Sequence, residues 1–303
     1  MEQASEWKAA GGGRETVGAM QEYQFGVSEF TTMPWTFEQD VEAYARLGVQ
    51  AIEVCEVKLD PRRWQEQIAL PAVRGLQITS IQPTTRTLFP SKGQPTPLDI
   101  EERLALFRQT ITRLAPSVPQ AVFVTNTGIP PDGNIQLVWD TAIPAYRALA
   151  AFAAEHGARV ALEPLNASIV NIETAVWTLG QAMEIVRAVG HDSFGICLDC
   201  WNIWQNADIL GAIREAGDRI FVVQISDWRT PRSFLDRLVP GQGEIPLPAF
   251  LRAVRESGFT GAYSVEIFSQ GVPDALWDAD LEQVLRDSRA GLDRAWEASW
   301  TGV

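Results

Sequence analysis

The sequence predicts an α/β fold in one domain, a closed (β/α)8 barrel of eight parallel strands, on three observations. Eight short, β-rich apolar runs alternate with eight amphipathic stretches over residues 22–303. Glycines at 48, 75, 157, 190, 217 and 258 each stand shortly before a strand. Glycine there takes the left-handed conformation that ends a helix without steric penalty. The Gly-x-Gly at 241–243 precedes a helix but follows a long loop, so it lacks the strand-to-helix setting of the phosphate-binding turn in an open sheet.

Strands are expected at 23–28, 50–55, 76–82, 120–126, 158–163, 194–199, 219–225 and 262–267. Helices are expected near 36–47, 61–73, 99–115, 135–156, 173–189, 206–216, 246–257 and 278–298. In the first, Thr36-x-x-Gln39 fits a capping box, and Phe37, Val41, Tyr44 and Leu47 recur on one face before Gly48. Gly75, Gly157, Gly190 and Gly217 close the second, fourth, fifth and sixth helices. The seventh opens at Pro246 and Pro248, carries Leu247, Phe250, Leu251 and Val254 on one face, and stops before Gly258. The longer loops, 83–98, 126–134, 164–173 and 226–245, follow the carboxyl ends of strands, where barrels of this architecture place their active sites.

With 46% apolar and 21% charged residues in 303, the chain is globular and long enough for a substantial core. A formal charge of −13 argues against a nucleic-acid surface and against anionic membranes, both of which need clustered Lys and Arg. No run approaches the ~20 apolar residues of a membrane span. Residues 1–21, with Gly11-Gly12-Gly13 and no apolar signal core, read as a flexible leader, and a cytoplasmic location is expected. Cys197 and Cys200 form Cys-x-x-Cys, yet on a strand they point to opposite faces and no second pair exists, so neither a redox nor a zinc role is expected. The histidines, His156 and His191, precede strands five and six and therefore belong to the opposite end of the barrel.

The chemistry is concentrated at the ends of the last strands. Arg-Val-Ala-Leu-Glu163, Gly-Ile-Cys-Leu-Asp199, Ile-Phe-Val-Val-Gln224 and Tyr-Ser-Val-Glu266 each finish on an acid or amide. Strand side chains alternate between faces. In phase with the polar ends are mostly small residues, Ala161, Gly195, Cys197, Val222, Ala262 and Ser264. Out of phase are the bulky ones, Val160, Leu162, Ile196, Leu198, Phe221, Val223, Tyr263 and Val265. With the bulky face against helices, Glu163, Asp199, Gln224 and Glu266 point into one interior. Like charges buried together repel unless a cation neutralises them or some take protons, so the four oxygens are expected to form a divalent-metal site.

These stretches carry a resemblance. Ala-Leu-Glu163-Pro-Leu-Asn166, Leu-Asp199-Cys-Trp-Asn202, Gln224-Ile-Ser-Asp227, Pro-Gly-Gln-Gly-Glu-Ile-Pro and Gly-Ala-Tyr-Ser-Val-Glu266-Ile-Phe are similar to the sugar isomerase/epimerase family of xylose-isomerase-like TIM barrels. Ala-Arg-Leu-Gly-Val-Gln-Ala-Ile-Glu53-Val adds an early match, so the likeness spans about residues 22–295. It implies Mn²⁺, Mg²⁺, Co²⁺ or Zn²⁺ held by Glu, Asp, His and Glu at the ends of strands five to eight. Glu163, Asp199 and Glu266 fit that pattern; Gln224 stands at the usual histidine, and Asn202 replaces a second histidine that assists catalysis. Three carboxylates and one amide oxygen favour Mn²⁺ or Mg²⁺ over Zn²⁺.

The resemblance implies an isomerase or epimerase acting on a sugar, polyol-derived ketone or related hydroxycarbonyl through an enediolate, with Glu163 and Glu266 as the acid/base pair. Substrate contacts are expected from Asn202, Arg229, Trp201, Trp228 and Lys58, with Arg86 beyond strand three. Trp35 and Trp204 lie on loops at the same end. Glu53 is expected as a buried network member. The alternative is a dehydratase of the inosose or 3-dehydroshikimate type, for which Gln224 is also suitable; a third is a barrel that binds sugars without catalysis. The expected partner is a small sugar, cyclic polyol or keto acid, and such barrels also pair into homo-oligomers.

Overall fold

The computed structural model describes residues 21–129, 131–170, 172–230 and 236–301. The expected leader, apart from Gln21, lies outside the described residues. Eight parallel strands close in sequence order: β1 (Gln24–Ser28), β2 (Ala51–Cys55), β3 (Gln77–Gln82), β4 (Val122–Thr125), β5 (Arg159–Leu162), β6 (Phe194–Asp199), β7 (Ile220–Ile225) and β8 (Ala262–Val265). The ring is sealed by β1 against β8, with Phe25 opposite Tyr263 and Val27 opposite Val265. Around it run α1 (Phe37–Arg46), α2 (Trp64–Val73), α3 (Ile100–Leu114), α4 (Ile135–Glu155), α5 (Leu179–Val189), the single turn α6 (Cys200–Ile203), α7 (Ile209–Ala216), α8 (Leu247–Glu256) and α9 (Leu281–Trp300). The predicted (β/α)8 order is thus the observed one. No helix among the described residues is long and apolar enough to cross a membrane.

Local sequence explains the boundaries. Thr36 and Gln39 form the expected capping box of α1. A second box, Thr178 with Gln181, starts α5 at Leu179, later than the expected 173, because the chain first makes a loop from Asn166. Gly190 ends that helix at φ 63°, a conformation open to glycine.

Two separate apolar cores bear out the alternation argument. Val122, Val124, Ala161, Cys197 and Val222 fill the barrel interior. Ile52, Val54, Val160, Leu162, Ile196, Leu198, Val223 and Val265 pack outward in the core that includes the helices. Burying each such aliphatic side chain stabilises the fold by about 1.5–3 kcal/mol. Phe221 departs from its expected outward set. The β6–β7 register slips so that Ile196 pairs with Ile220 and Cys197 with Val222, leaving Phe221 as the extra residue of a bulge. Its ring packs on the interior core and lies 4.4 Å under the Arg159 guanidinium.

A second slip matters more for function. Between β2 and β3, Ile52 pairs with Ile78 but Glu53 pairs with Ser80. Ser80 is thereby brought beside Glu53, where its hydroxyl donates to Oε2 at 2.7 Å.

Candidate active site

Every strand delivers a polar side chain to the carboxyl end of the barrel. To the four expected residues are added Ser28 from β1, Glu53 from β2, Gln82 from β3 and Asn126 just after β4, all buried. They interlock. Ser28 Oγ donates to Glu266 Oε1 at 3.4 Å, Gln82 Nε2 to Glu53 Oε1 at 3.4 Å, and Asn126 Nδ2 to Glu163 Oε2 at 3.3 Å. Gln82 and Asn126 went unread in the sequence, although the phase rule that found Glu163 applies to both: Ser80 precedes Gln82, and Val122 and Val124 precede Asn126, on the same face.

Glu163, Asp199 and Glu266 form the centre. Each offers an oxygen, and these lie within 4.8 Å of one another. Asn202 Nδ2 bridges Glu163 Oε1 at 2.9 Å and Asp199 Oδ2 at 2.7 Å, so the amide at the family's second histidine position orients two acids. Asp199 also caps α6, accepting from the Trp201 amide at 3.0 Å. Burial, then the charge of Asp199, pushes the Glu163 carboxyl up to about 8. Burial likewise raises Asp199, against the pull of Arg237, and holds Glu266 well above the usual carboxylate range.

The cation that the sequence reading missed is Arg237. Its guanidinium is buried, donates to Asp199 Oδ2 and Glu266 Oε2, each at 2.9 Å, and lies 5.0 Å from the Trp201 ring centroid and 4.8 Å from that of Phe268. Asp227 sets it there. Asp227 exchanges backbone hydrogen bonds with Leu238, the neighbour of Arg237, and its carboxylate accepts from the amides of Gly241 and Ile245 at 2.9 and 3.0 Å. A Cβ at Gly243 would meet Asp227 Oδ1 and the Trp228 carbonyl at 2.4 Å, so this close wrap requires glycine. The Gly-x-Gly is therefore a strap around an aspartate, not a phosphate loop.

Above the acids opens a cavity of about 230 Å³, walled by Phe30, Phe268, Trp201 and Leu165, with Arg86 and Glu173 also lining it. It falls below the ~300–1,000 Å³ of drug-sized pockets and suits a monosaccharide-sized ligand. Glu163, Glu266, Asn202 and Trp201 are among its lining residues. Lys58, Arg229 and Trp228 are not among the lining residues. Lys58 is buried in an ion pair with Asp40 at 2.5 Å, Arg229 pairs with Asp274 at 2.7 Å, and Trp228 packs on Trp204. Gln224 reaches the acids but presents its NH2 to them: Nε2 lies 2.8 Å from Glu53 Oε1 and 2.8 Å from Glu266 Oε1, while Oε1 faces Cys197 Sγ at 3.1 Å. Cys200 bonds the Ser226 carbonyl, on the other face from Cys197, and both thiols are free. His156 bonds the Phe152 carbonyl within its own helix end, and His191 bonds the Ser193 amide.

The donor set fits a divalent cation. Four buried carboxylates, Glu53 included, face one guanidinium among the described residues, that of Arg237, so the site is short of positive charge. Each carboxylate has four lone-pair sites, so oxygens already bonded retain capacity for a metal.

An inosose isomerase of Halalkalibacterium halodurans is 38% identical over 125 residues, 40% of this chain and 43% of that protein. A 3-dehydroshikimate dehydratase of Pseudomonas putida is 28% identical over 253 residues, 78% of this chain and 36% of that protein. Both alignments span well under half of the relative's length. The solved structure of IolI protein with a binding zinc atom superposes with a TM-score of 0.76 at 20% identity, covering 92% of this chain and 99% of that one. Residues 41–292 match the family described as xylose isomerase-like TIM barrel, and the chain belongs to that family.

Proposed function

We propose that this protein is a divalent-metal-dependent isomerase or epimerase of a small polyhydroxy carbonyl compound, a sugar or a cyclic polyol ketone. The observation that carries this reading is the trio Glu163, Asp199 and Glu266, buried within 4.8 Å of one another, of which Glu163 and Glu266 line a monosaccharide-sized cavity. Those three residues would hold the cation. When bound, it would supply Lewis acidity, polarising a carbonyl and its neighbouring hydroxyl. All-oxygen ligation favours Mn²⁺ or Mg²⁺, although the IolI neighbour holds zinc.

Glu163 and Glu266 approach the cavity from β5 and β8. One takes the proton from the carbon beside the carbonyl; the other returns it, to the opposite face or to the neighbouring carbon. Arg237 offers a cation for charge that develops on the substrate oxygen. Phe30, Phe268 and Trp201 provide apolar faces against the C–H side of a sugar and keep water from the intermediate.

The test is a panel of ketoses and inososes in deuterated water with Mn²⁺. The unaltered protein is expected to wash deuterium into one of them, and Glu163→Gln and Glu266→Gln to lose about 10²–10⁴-fold in that rate. Full exchange by both variants would remove the assignment. The alignment with the dehydratase over 78% of the chain favours a second reading, in which the same bases expel a β-hydroxyl. The product then weighs one water less and absorbs in the ultraviolet, whereas an isomerase leaves mass unchanged.

A further inference from the structure

We propose that the amino-terminal mouth of the barrel is a second ligand site, anchored by Arg159. Its ligand is a small organic anion that carries a carboxylate or phosphate beside hydroxyl groups. The site stands apart from the metal-dependent reading: among the described residues, none lines both this cavity and the one above the acids.

Strand parity puts the cation there. Along β5 the residues in phase are Arg159, Ala161 and then Glu163, so one face carries a cation at one end and an acid at the other. Four residues of strand separate them by about 13 Å. At the amino end opens a cavity of about 400 Å³, within the range of small-molecule sites. Its wall includes Arg159 and Thr79 from strands, with Gln120 and Thr260 shortly before β4 and β8.

The charge balance points to an anion. Arg159 is the one charged residue of the lining, which holds no acid, in a chain of formal charge −13. Its guanidinium has no hydrogen-bond or ion-pair partner among the described residues. Asp192 and Asp218, at the same end, both pair with Arg219. Burial pushes the Arg159 guanidinium down from its ordinary range, with no acid to offset it.

What Arg159 does have is a platform. The Phe221 ring lies 4.4 Å from its guanidinium carbon. That ring turns inward because β7 bulges there and because residue 195 is glycine, where a Cβ would meet the ring at 2.7 Å. A guanidinium laid on a ring has its plane fixed and its edge donors free, the geometry that takes a carboxylate or phosphate through two parallel hydrogen bonds. Thr79, Gln120 and Thr260 have side chains without hydrogen-bond partners among the described residues, and these serve the hydroxyl groups.

The test is calorimetric titration of the full-length protein, at constant ionic strength, with glucose 6-phosphate, gluconate and neutral glucose. At least one of the two anions is expected to bind saturably at one site per chain, and glucose to bind at least about tenfold more weakly. Arg159→Gln should weaken that anion about tenfold or more. Thr260→Asp, at an exposed rim position, adds an opposing charge without touching Arg159 and should weaken it too, which keeps the test open if Arg159→Gln fails to fold. A crystal structure of the complex should show the anionic group within hydrogen-bond distance of the Arg159 guanidinium. Anion binding unchanged in both variants, or an anion held only above the acids, would overturn the proposal. So would heats that never saturate, which mark an adventitious ion only. A lower unfolding temperature for Arg159→Gln with unaltered anion affinity would reduce the guanidinium to packing for Phe221.

Discussion

The Arg237 guanidinium donates to Asp199 Oδ2 at 2.9 Å, with both side chains buried inside a ring of acids. Removing one member of such a pair strands the other, at about 3–5 kcal/mol. Arg237→Met should therefore unfold at markedly lower temperature when free of metal. Mn²⁺ should restore part of the loss, because binding to the folded state alone stabilises it. The measurement is thermal unfolding with chelator and with Mn²⁺. Equal Mn²⁺-induced shifts in variant and unaltered protein would mean that the guanidinium does not balance the same acids.

Lys58 pairs with Asp40 at 2.5 Å and donates to the Thr32 carbonyl at 2.8 Å, with only 5% of its side chain exposed. Lys58→Met is expected to cost about 3–5 kcal/mol of stability. The double variant Asp40→Asn/Lys58→Met should recover most of that, and a double-mutant cycle by denaturant unfolding measures the coupling. Turnover by the folded fraction should be unchanged. A loss of turnover without a loss of stability would return Lys58 to the substrate.

Which of these features the sequence disclosed follows from how far each lies from its own strand. The alternation of small and bulky residues located Glu163, Asp199 and Glu266, because a strand's side-chain direction is set by parity alone. Parity fails at a bulge, and so it misassigned Phe221. It says nothing of loops, and so it passed over Arg237, whose position depends on the turn that Asp227 ties from 238 to 245. Lys58 was read as facing the substrate because the sequence does not show that α1 brings Asp40 against it.

Phe268 and Phe30 pack with ring centroids 4.7 Å apart, their planes tilted by 35°, and form one wall of the cavity. Neither ring can take part in proton transfer, so their contribution is to binding in ground and transition states alike. Phe268→Ala should raise KM about tenfold, equivalent to about 1.4 kcal/mol, and leave kcat within about threefold. Steady-state kinetics on the exchanging substrate check this. A fall in kcat with KM unmoved would place Phe268 against the reacting carbons instead of the wall.

Glu29 lies buried beside Asp40, directly after β1. Its Oε2 accepts from the Cys55 amide at 2.7 Å, and its carboxyl shares a side-chain hydrogen bond with that of Asp40. Burial, then the charge of Asp40, holds its carboxyl well above the ordinary carboxylate range. Between the ordinary value and the raised one, the folded state binds more protons than the unfolded state. Stability from this group is therefore present below the unfolded pKa of about 4.3 and declines as pH rises toward the folded value. Glu29→Gln keeps the acceptor for Cys55, adds a donor and never ionises. It should match the unaltered protein near pH 4 and exceed it by about 1–3 kcal/mol at pH 8, where the unaltered carboxyl must ionise in a buried place beside Asp40. Urea unfolding at the two pH values gives the difference, in which acids remote from Glu29 cancel. A constant difference across that range would show that Glu29 ionises as freely in the folded chain as in the unfolded one.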